Sequence, residues 1–198
     1  MAFYRIIKME NVALIDILND IEPSSAFVED FKAIGHIDSI RLRVNSTGGD
    51  FAEAKKIYDT LVNHPAKKTG EVITFAGSSA VLILLACESV SIPNNAAILI
   101  HCPHTTLEKA TAATLRQAAG ALDEAYNFLV AVYKRKTNQT EDLIKTLLDN
   151  CTWMIGTEAH TLGFCNELTD PVCLVPIFDA IKFKRPDSRV LKGVLRTS

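Results

Sequence analysis

Two adjacent serines, Ser78 and Ser79, lie where a hydroxyl could act as a nucleophile. They follow the strand-like segment 71–76 and precede an apolar run from Ala80 to Cys87. A serine between a strand and a buried helix sits at the helix N-terminus, where unpaired N–H groups and the helix dipole favour negative charge. That position suits attack on a carbonyl and the oxyanion that the attack forms. A plain helix N-cap is the alternative interpretation, and the G-x-S-x-G motif is absent.

Histidine is the side chain best suited to take the proton of such a serine. The candidates are His36, His64, His101, His104 and His160. His101 ends the strand-like segment 96–101, where a strand delivers a side chain to the edge of a cleft. The motif "HCPH" at 101–104 suggests a metal site, but no second ligand cluster accompanies it, so we predict no metal and no organic cofactor.

A glycine-rich turn, "NSTGG" at 45–49, follows the strand-like segment 39–44 in the same way. The adjacent Gly48 and Gly49 would let backbone N–H groups approach a ligand closely. The alternative is a tight turn between a strand and the helix predicted at 51–62.

Strands that alternate with helices must position these groups. The apolar periodicity predicts strands at 3–9, 13–18, 39–44, 71–76, 89–92 and 96–101, and helices at 26–34, 51–62 and 79–87. This alternation predicts an α/β fold of βαβ-like units.

The second half of the chain is predicted to be mainly helical. Residues 107–136 are rich in helix-forming residues and contain no proline, so they predict a helix of ~40 Å that projects or packs on a partner. A helix at 140–149 follows. The segment 152–168 predicts a short helix closed by Gly163 in the C′ position and then a strand.

Composition and charge exclude several classes of protein. The chain has 198 residues, 48% apolar and 22% charged, with a net charge of −2, which fits one globular domain and indicates neither nucleic-acid binding nor disorder. No apolar run is long enough to span a membrane, no signal peptide is evident, and five cysteines without CxxC spacing suggest reduced thiols. We therefore expect a soluble cytoplasmic protein. We predict a domain over 1–170 and a basic tail over 171–198, in which residues 182–198 carry a net charge of +5.

The order of these motifs resembles the Clp protease proteolytic subunit (ClpP) family and its phage-type relatives. "VNSTGGDFAEAKKIYDTL" resembles the strand, I-N-S-P-G-G turn and helix of that family. "GSSAVLILLACESVSIPNNAAILIHCP" resembles the segment from the active serine to the active histidine. Residues 107–136 look like the handle helix of the family, and "TWMIGTEAHTLGFCNEL" is similar to its later E-A and glycine motif. The resemblance implies a ClpP/crotonase-like α/β spiral with a protruding long helix.

The resemblance also implies site residues. Aligning the apolar helix places the nucleophile at Ser79, with Ser78 as the less favoured alternative, and His101 matches the base. Gly49 and Ala80 match the oxyanion donors, and Gly48 supports the turn. Thr47 stands where the family turn has proline.

The third catalytic position departs from the pattern. The segment "GFCNE" offers Asn166 where the family has an aspartate. An asparagine can accept the Nδ1–H bond of histidine, but it supplies no charge to stabilise imidazolium. In a trypsin-type serine protease the same exchange lowers the rate about 10⁴-fold.

The resemblance implies a serine endopeptidase that cuts protein or peptide substrates inside a heptameric or tetradecameric ring. It further implies a Clp-type ATPase unfoldase as partner, or a role in phage head maturation. Neither nucleic acid nor a membrane is expected as a partner. Two alternatives are a catalytically weak or inactive ring subunit, which Asn166 suggests, and a crotonase-fold acyl-CoA enzyme.

Overall fold

The computed structural model describes residues 2–23 and 26–171, which fold into strands and helices that alternate along most of the chain. The strands are β1 (Tyr4–Met9), β2 (Val12–Ile21), β3 (Ser39–Gly49), β4 (Lys67–Gly77), β5 (Ser89–Pro93), β6 (Ala97–Ile100), β7 (Thr152–Ile155) and β8 (Glu167–Thr169). The helices are α1 (Ala26–Ala33), α2 (Phe51–Val62), α3 (Ser79–Leu84), α4 (Ala112–Thr137), α5 (Glu141–Asp149) and α6 (Gly156–Thr161). This arrangement confirms the predicted α/β fold.

The strands form one largely parallel sheet within the described residues. Its order is β1-β2-β3-β4-β5-β8, and β6 pairs with β4 and with β7. The pairs β2–β3 and β3–β4 are parallel, whereas β1–β2 and β6–β7 are antiparallel. The face of these strands that packs on the core carries apolar side chains such as Ile15, Ile40 and Leu42, each at most 1% exposed. On β3 the alternate residue Arg41 is exposed, so this strand buries one face.

The sheet divides at β4, and this division positions the site. The first half of β4 pairs with β5, where Gly70 lies opposite Val90. Its second half pairs with β6, where Gly77 lies opposite Leu99. The ends of β3, β4 and β6 therefore come together at one end of the sheet, while β8 extends the sheet from β5 at the other.

The helix α3 is buried on all sides, which explains why every residue after Ser79 is apolar. All six of its residues are buried, and it packs against α2, β3 and β4. A helix that is apolar all round belongs in a core. The apolar run after the serines thus fixes them to the centre of the domain.

Several boundaries differ from the sequence-based predictions. Residues 45–49, predicted as a turn, instead continue β3 because they pair with β2, with Ile21 opposite Gly49. We refer to the end of this strand, at Gly48 and Gly49, as the glycine turn. The strand β7 is an addition to the predicted elements, since four residues carry too little periodicity to separate it from α6. Gly163 confirms its predicted C′ role: its φ is +82°, its N–H donates to His160 at 3.0 Å, and Phe164 N–H donates to Ala159 at 2.9 Å, which is a Schellman motif.

The long helix α4 begins at Ala112, five residues later than predicted, and Thr111 caps it by accepting the N–H of Thr114. Its first buried residue is Ala125, so most of its first half lies outside the core. This confirms the protruding long helix. No helix in residues 2–23 and 26–171 has the length and hydropathy to cross a membrane. The predicted basic tail lies outside the described residues apart from Pro171.

Candidate active site

The predicted serine and histidine positions converge where β4 and β6 end side by side. The backbone N–H of Ser78 donates to the carbonyl of Leu99 at 2.7 Å. His101 lies two residues beyond Leu99, directly after the end of β6. The split of the sheet at β4 therefore places Ser78 and His101 at the same cavity, which both line.

Ser78 has a backbone conformation that is rare for a residue with a side chain. Its φ is +53° and its ψ is −126°, and it occupies the N-cap position of α3 without a capping bond from its side chain. Such a conformation costs about 1–3 kcal/mol and is concentrated at functional sites. A sharp strand-to-helix turn of this kind presents a serine hydroxyl outward from the sheet. The structure therefore does not support the alternative that Ser78 is a plain N-cap.

Ser79 has a different environment. Its side chain is buried, with 4% of the residue exposed, and its Oγ donates to the carbonyl of Gly49 at 3.1 Å. This bond ties the first turn of α3 to the glycine turn at the end of β3. The two serines thus have distinct surroundings, one partly exposed to the cavity and one engaged with the backbone.

Two glycines at the end of β3 make close contacts that exclude any side chain. A Cβ on Gly48, whose φ is +97°, would lie 2.6 Å from the carbonyl oxygen of Gly77 and 2.7 Å from Cβ of Ser78. A Cβ on Gly49, whose φ is +142°, would lie 2.3 Å from the carbonyl oxygen of Ile21. The backbone of Gly48 therefore lies directly against Gly77 and Ser78, with no room for a side chain between them.

Polar side chains fix this glycine turn to β2. The hydroxyl of Thr47 donates to Asp20, and the hydroxyl of Ser46 donates to the carbonyl of Asn19. Ser46 Oγ also accepts the N–H of Gly48 at 3.1 Å. Thr47, which replaces the proline of the family turn, thus gains a hydrogen bond that proline cannot make, a role that the sequence did not reveal.

His101 makes its closest polar contact with its own neighbour. Its Nδ1 lies 2.7 Å from the carbonyl oxygen of Cys102, and its ring lies 5.2 Å from that of His104, centre to centre. Asp149, at the end of α5, accepts hydrogen bonds from Cys102 and from Tyr126. Sequence reasoning missed the cluster of Cys102, Tyr126 and Asp149. Asp149 is 47 residues from Cys102 along the chain, and the pairing of β6 with β7 brings the two together.

Asn166 does not lie beside His101, which corrects the sequence-based expectation. Its Oδ1 accepts the N–H of Val90 at 2.9 Å, and its own N–H donates to the carbonyl of Val90 at 2.8 Å. Val90 lies opposite Gly70, whereas Leu99 lies opposite Gly77. Seven residues of β4 separate these two levels of the sheet. Asn166 therefore fixes the β5–β8 pairing.

A cavity of about 710 Å³ lies over the glycine turn, the two serines and His101. Its opposite wall comes from α4, where small and apolar side chains face it: Ala118, Ala121, Leu122, Ala125 and Leu129. This volume lies within the range of small-molecule and peptide side-chain sites. Within residues 2–23 and 26–171, no group of three or more His, Cys, Asp or Glu side chains is arranged to hold a metal ion.

The profile of the Clp protease family matches residues 10–172. The chain is 29% identical, over 138 residues, to the ATP-dependent Clp protease proteolytic subunit 1 of Leifsonia xyli subsp. xyli, and the match covers 69% of this chain and 70% of that protein.

The fold and the family match together indicate an α/β protein of the serine peptidase class. The chain belongs to the Clp protease family.

Proposed function

We propose that this protein is a serine endopeptidase whose active site is the cavity at the ends of β3, β4 and β6. The observation that carries the proposal is the strained Ser78 turn, bonded to Leu99 and opening with His101 into one cavity. Membership of a serine peptidase family supports the reaction class.

Between the two serines, the geometry favours Ser78 as the nucleophile, although the alignment favours Ser79. The Ser78 turn has the φ and ψ of an exposed strand-to-helix elbow, whereas the Ser79 hydroxyl is buried and donates to the Gly49 carbonyl. Under this proposal Ser79 supports the turn by holding Gly49 against α3.

The proposed reaction is acyl transfer to the serine followed by hydrolysis. His101 takes the Ser78 proton at Nε2 while Oγ attacks the peptide carbonyl. The N–H of Gly49 and the N–H of the residue after the nucleophile receive the oxyanion: Ser79 if Ser78 attacks, or Ala80 if Ser79 attacks. His101 then protonates the leaving amine, and water releases the acyl group.

Labelling with a fluorophosphonate probe tests both the reaction class and the nucleophile. We expect an adduct on Ser78, located by peptide mass spectrometry, and peptide hydrolysis in the same preparation. Ser78→Ala should abolish labelling and lower the rate roughly 10⁶-fold, as loss of a nucleophilic serine does elsewhere. Ser79→Ala should retain labelling, and Ser89→Ala, at an exposed serine of β5, is the matched control.

The other outcomes decide between the remaining possibilities. An adduct on Ser79 would identify Ser79, the position that the alignment favours, as the nucleophile. Absence of both labelling and hydrolysis would favour an inactive ring subunit. The match to the Clp protease family favours a peptidase over the acyl-CoA alternative.

We further propose that the protein acts as a heptameric or tetradecameric ring, in which α4 contacts a neighbouring copy. The exposed first half of α4 supports this assembly. A Clp-type ATPase unfoldase is the proposed partner, since the matched relative is the proteolytic subunit of an ATP-dependent protease. Cleavage during phage head maturation is a second proposed setting for the same chemistry.

A further inference from the structure

The contact between His101 and Cys102 determines which nitrogen of the imidazole carries the proton. Nδ1 lies 2.7 Å from the carbonyl oxygen of Cys102. A carbonyl oxygen accepts hydrogen bonds but cannot donate one, so the neutral ring must carry its proton on Nδ1. Nε2 then has the free lone pair, which is the form that a general base requires.

We propose that the backbone carbonyl of Cys102 orients His101, and that Asp149 is the positioning residue that holds Cys102 in place. This proposal rests on the proposed peptidase function, since it assigns the part that Asn166 was expected to play. It follows from the hydrogen bonds that join Cys102, just after β6, to the end of α5 and to the middle of α4.

Both the backbone and the side chain of Cys102 are held by hydrogen bonds. Its N–H donates to the carbonyl of Leu148 at 3.2 Å, and its Sγ donates to Oδ1 of Asp149 at 3.2 Å. The same oxygen of Asp149 accepts the hydroxyl of Tyr126, from α4, at 3.0 Å. The end of α5 and the middle of α4 therefore fix the residue that follows His101.

Both side chains that donate to Asp149 keep their protons at neutral pH. Burial, together with the hydrogen bond to Asp149, raises the pKa of the Cys102 thiol to about 11. The same two causes raise the pKa of Tyr126 to about 12. The carboxylate of Asp149 therefore has two donors that remain donors over the working range of a peptidase.

A carbonyl in this position differs from both aspartate and asparagine. Unlike the amide of asparagine it cannot donate, so it does not select the wrong tautomer, which is the fault that lowers activity in the aspartate-to-asparagine exchange. Unlike a carboxylate it carries no net charge, so it stabilises imidazolium less. The expected result is a correctly oriented base in an enzyme of modest rate.

The test removes the support of the carbonyl in graded steps. Asp149→Ala removes the acceptor, Cys102→Ala removes one donor, and Cys102→Ser retains a donor at the same position. Tyr126→Phe removes the other donor with the least change in shape. Asp142→Ala, at another exposed aspartate of α5, is the matched control.

Two readouts separate positioning from general damage. In ¹⁵N-histidine-labelled protein, solid-state NMR should show the Nδ1–H tautomer for His101, assigned by its loss in His101→Gln. Asp149→Ala and Cys102→Ala should populate the Nε2–H tautomer and lower kcat at least 10-fold with KM within twofold. Cys102→Ser should restore both, and Tyr126→Phe should give an intermediate effect.

Three results would overturn the proposal. One is an Nε2–H tautomer in the unmodified protein, and another is a tautomer population that does not change in Asp149→Ala protein of unaltered circular dichroism. The third is a rise in kcat on Asn166→Asp, which would show that position 166 orients the base after all. If the unmodified protein hydrolyses no peptide, the peptidase function fails, while the tautomer measurement still decides the positioning.

Discussion

Asp16 is a charged side chain that the sheet buries almost completely. It lies on β2 with 1% exposure, and its Oδ1 accepts a hydrogen bond from Nε of Arg43 on β3 at 2.7 Å. Arg5 on β1 binds its other oxygen. Burial disfavours the ionised form, but the hydrogen bonds from Arg43 and Arg5 outweigh it, and the pKa of Asp16 is lowered. One carboxylate thus joins three strands.

At this residue we predict a pH-dependent loss of stability. A lowered pKa means that the contribution of Asp16 is present above the ordinary carboxyl value and is lost as the pH falls through the folded-state value. Asp16→Asn should lower the free energy of unfolding by about 2 kcal/mol at pH 7, less than for a fully buried pair because both arginines are partly exposed. Urea unfolding at pH 7 and at pH 3 measures this.

The difference in the free energy of unfolding between Asp16→Asn and the unmodified protein should be smaller at pH 3 than at pH 7. At low pH the aspartate is increasingly protonated and then resembles asparagine. Asp123→Asn, at an exposed position of α4, is the control and should change little at either pH. An equal loss at both pH values would show that the charge of Asp16 is not what stabilises the sheet.

The helix α4 combines a packed half with an exposed half. From Ala125 onward it buries residues such as Leu129 and Tyr133, whereas its first half is largely exposed. The 26 residues extend ~39 Å, which is longer than the packed half alone requires. The stability of the exposed first half of α4 therefore depends more on the helix propensity of its residues than on packing against the core.

For this element we predict a local effect of Gly120, where an added Cβ would meet no atom within 4 Å. Gly120→Ala should stabilise the helix by about 0.5–1 kcal/mol. Hydrogen exchange of the amides around position 120 should slow about 2–5-fold, because the gain is confined to the exposed half. Ala119→Gly is the reciprocal control and should speed exchange. Unchanged exchange in both variants would mean that contacts with another chain stabilise this half.

Among residues 2–23 and 26–171, several large apolar side chains are exposed in the single copy. Leu115 in α4 is 53% exposed and Leu107, before it, is 45% exposed. Leu115 belongs to the exposed first half of α4, and Leu107 precedes this helix at the rim of the cavity. The proposed ring assembly would bury such residues against a neighbouring copy.

At the scale of the assembly we predict that a charge at Leu115 disrupts the oligomer. Leu115→Glu should shift the protein from rings to smaller species in analytical ultracentrifugation, because burying an unpaired carboxylate in an interface is unfavourable. Gln117→Glu places the same charge on the same helix at a position that is already polar and exposed, so it should leave the assembly intact. Rings of unchanged size in Leu115→Glu would place the interface elsewhere.

Local sequence signals were sufficient to predict most of the elements, although not β7. Apolar periodicity located β2, β3 and α2, because each buries one face or stripe, and helix-forming composition without proline located α4. The order of glycine turn, serines and histidine located the strand ends around the cavity. These signals depend on near neighbours in the chain, so they can be read along it.

Which polar groups meet became known only from the folded chain. Asn166 follows a recognisable motif, yet the pairing of β8 with β5 places it at the other end of β4 from His101. Cys102 and Asp149 gave no sequence signal, and the antiparallel pairing of β6 with β7 joined them. The choice between Ser78 and Ser79 likewise depends on one φ angle and one hydrogen bond. Contacts between distant residues depend on strand pairing, which periodicity does not specify.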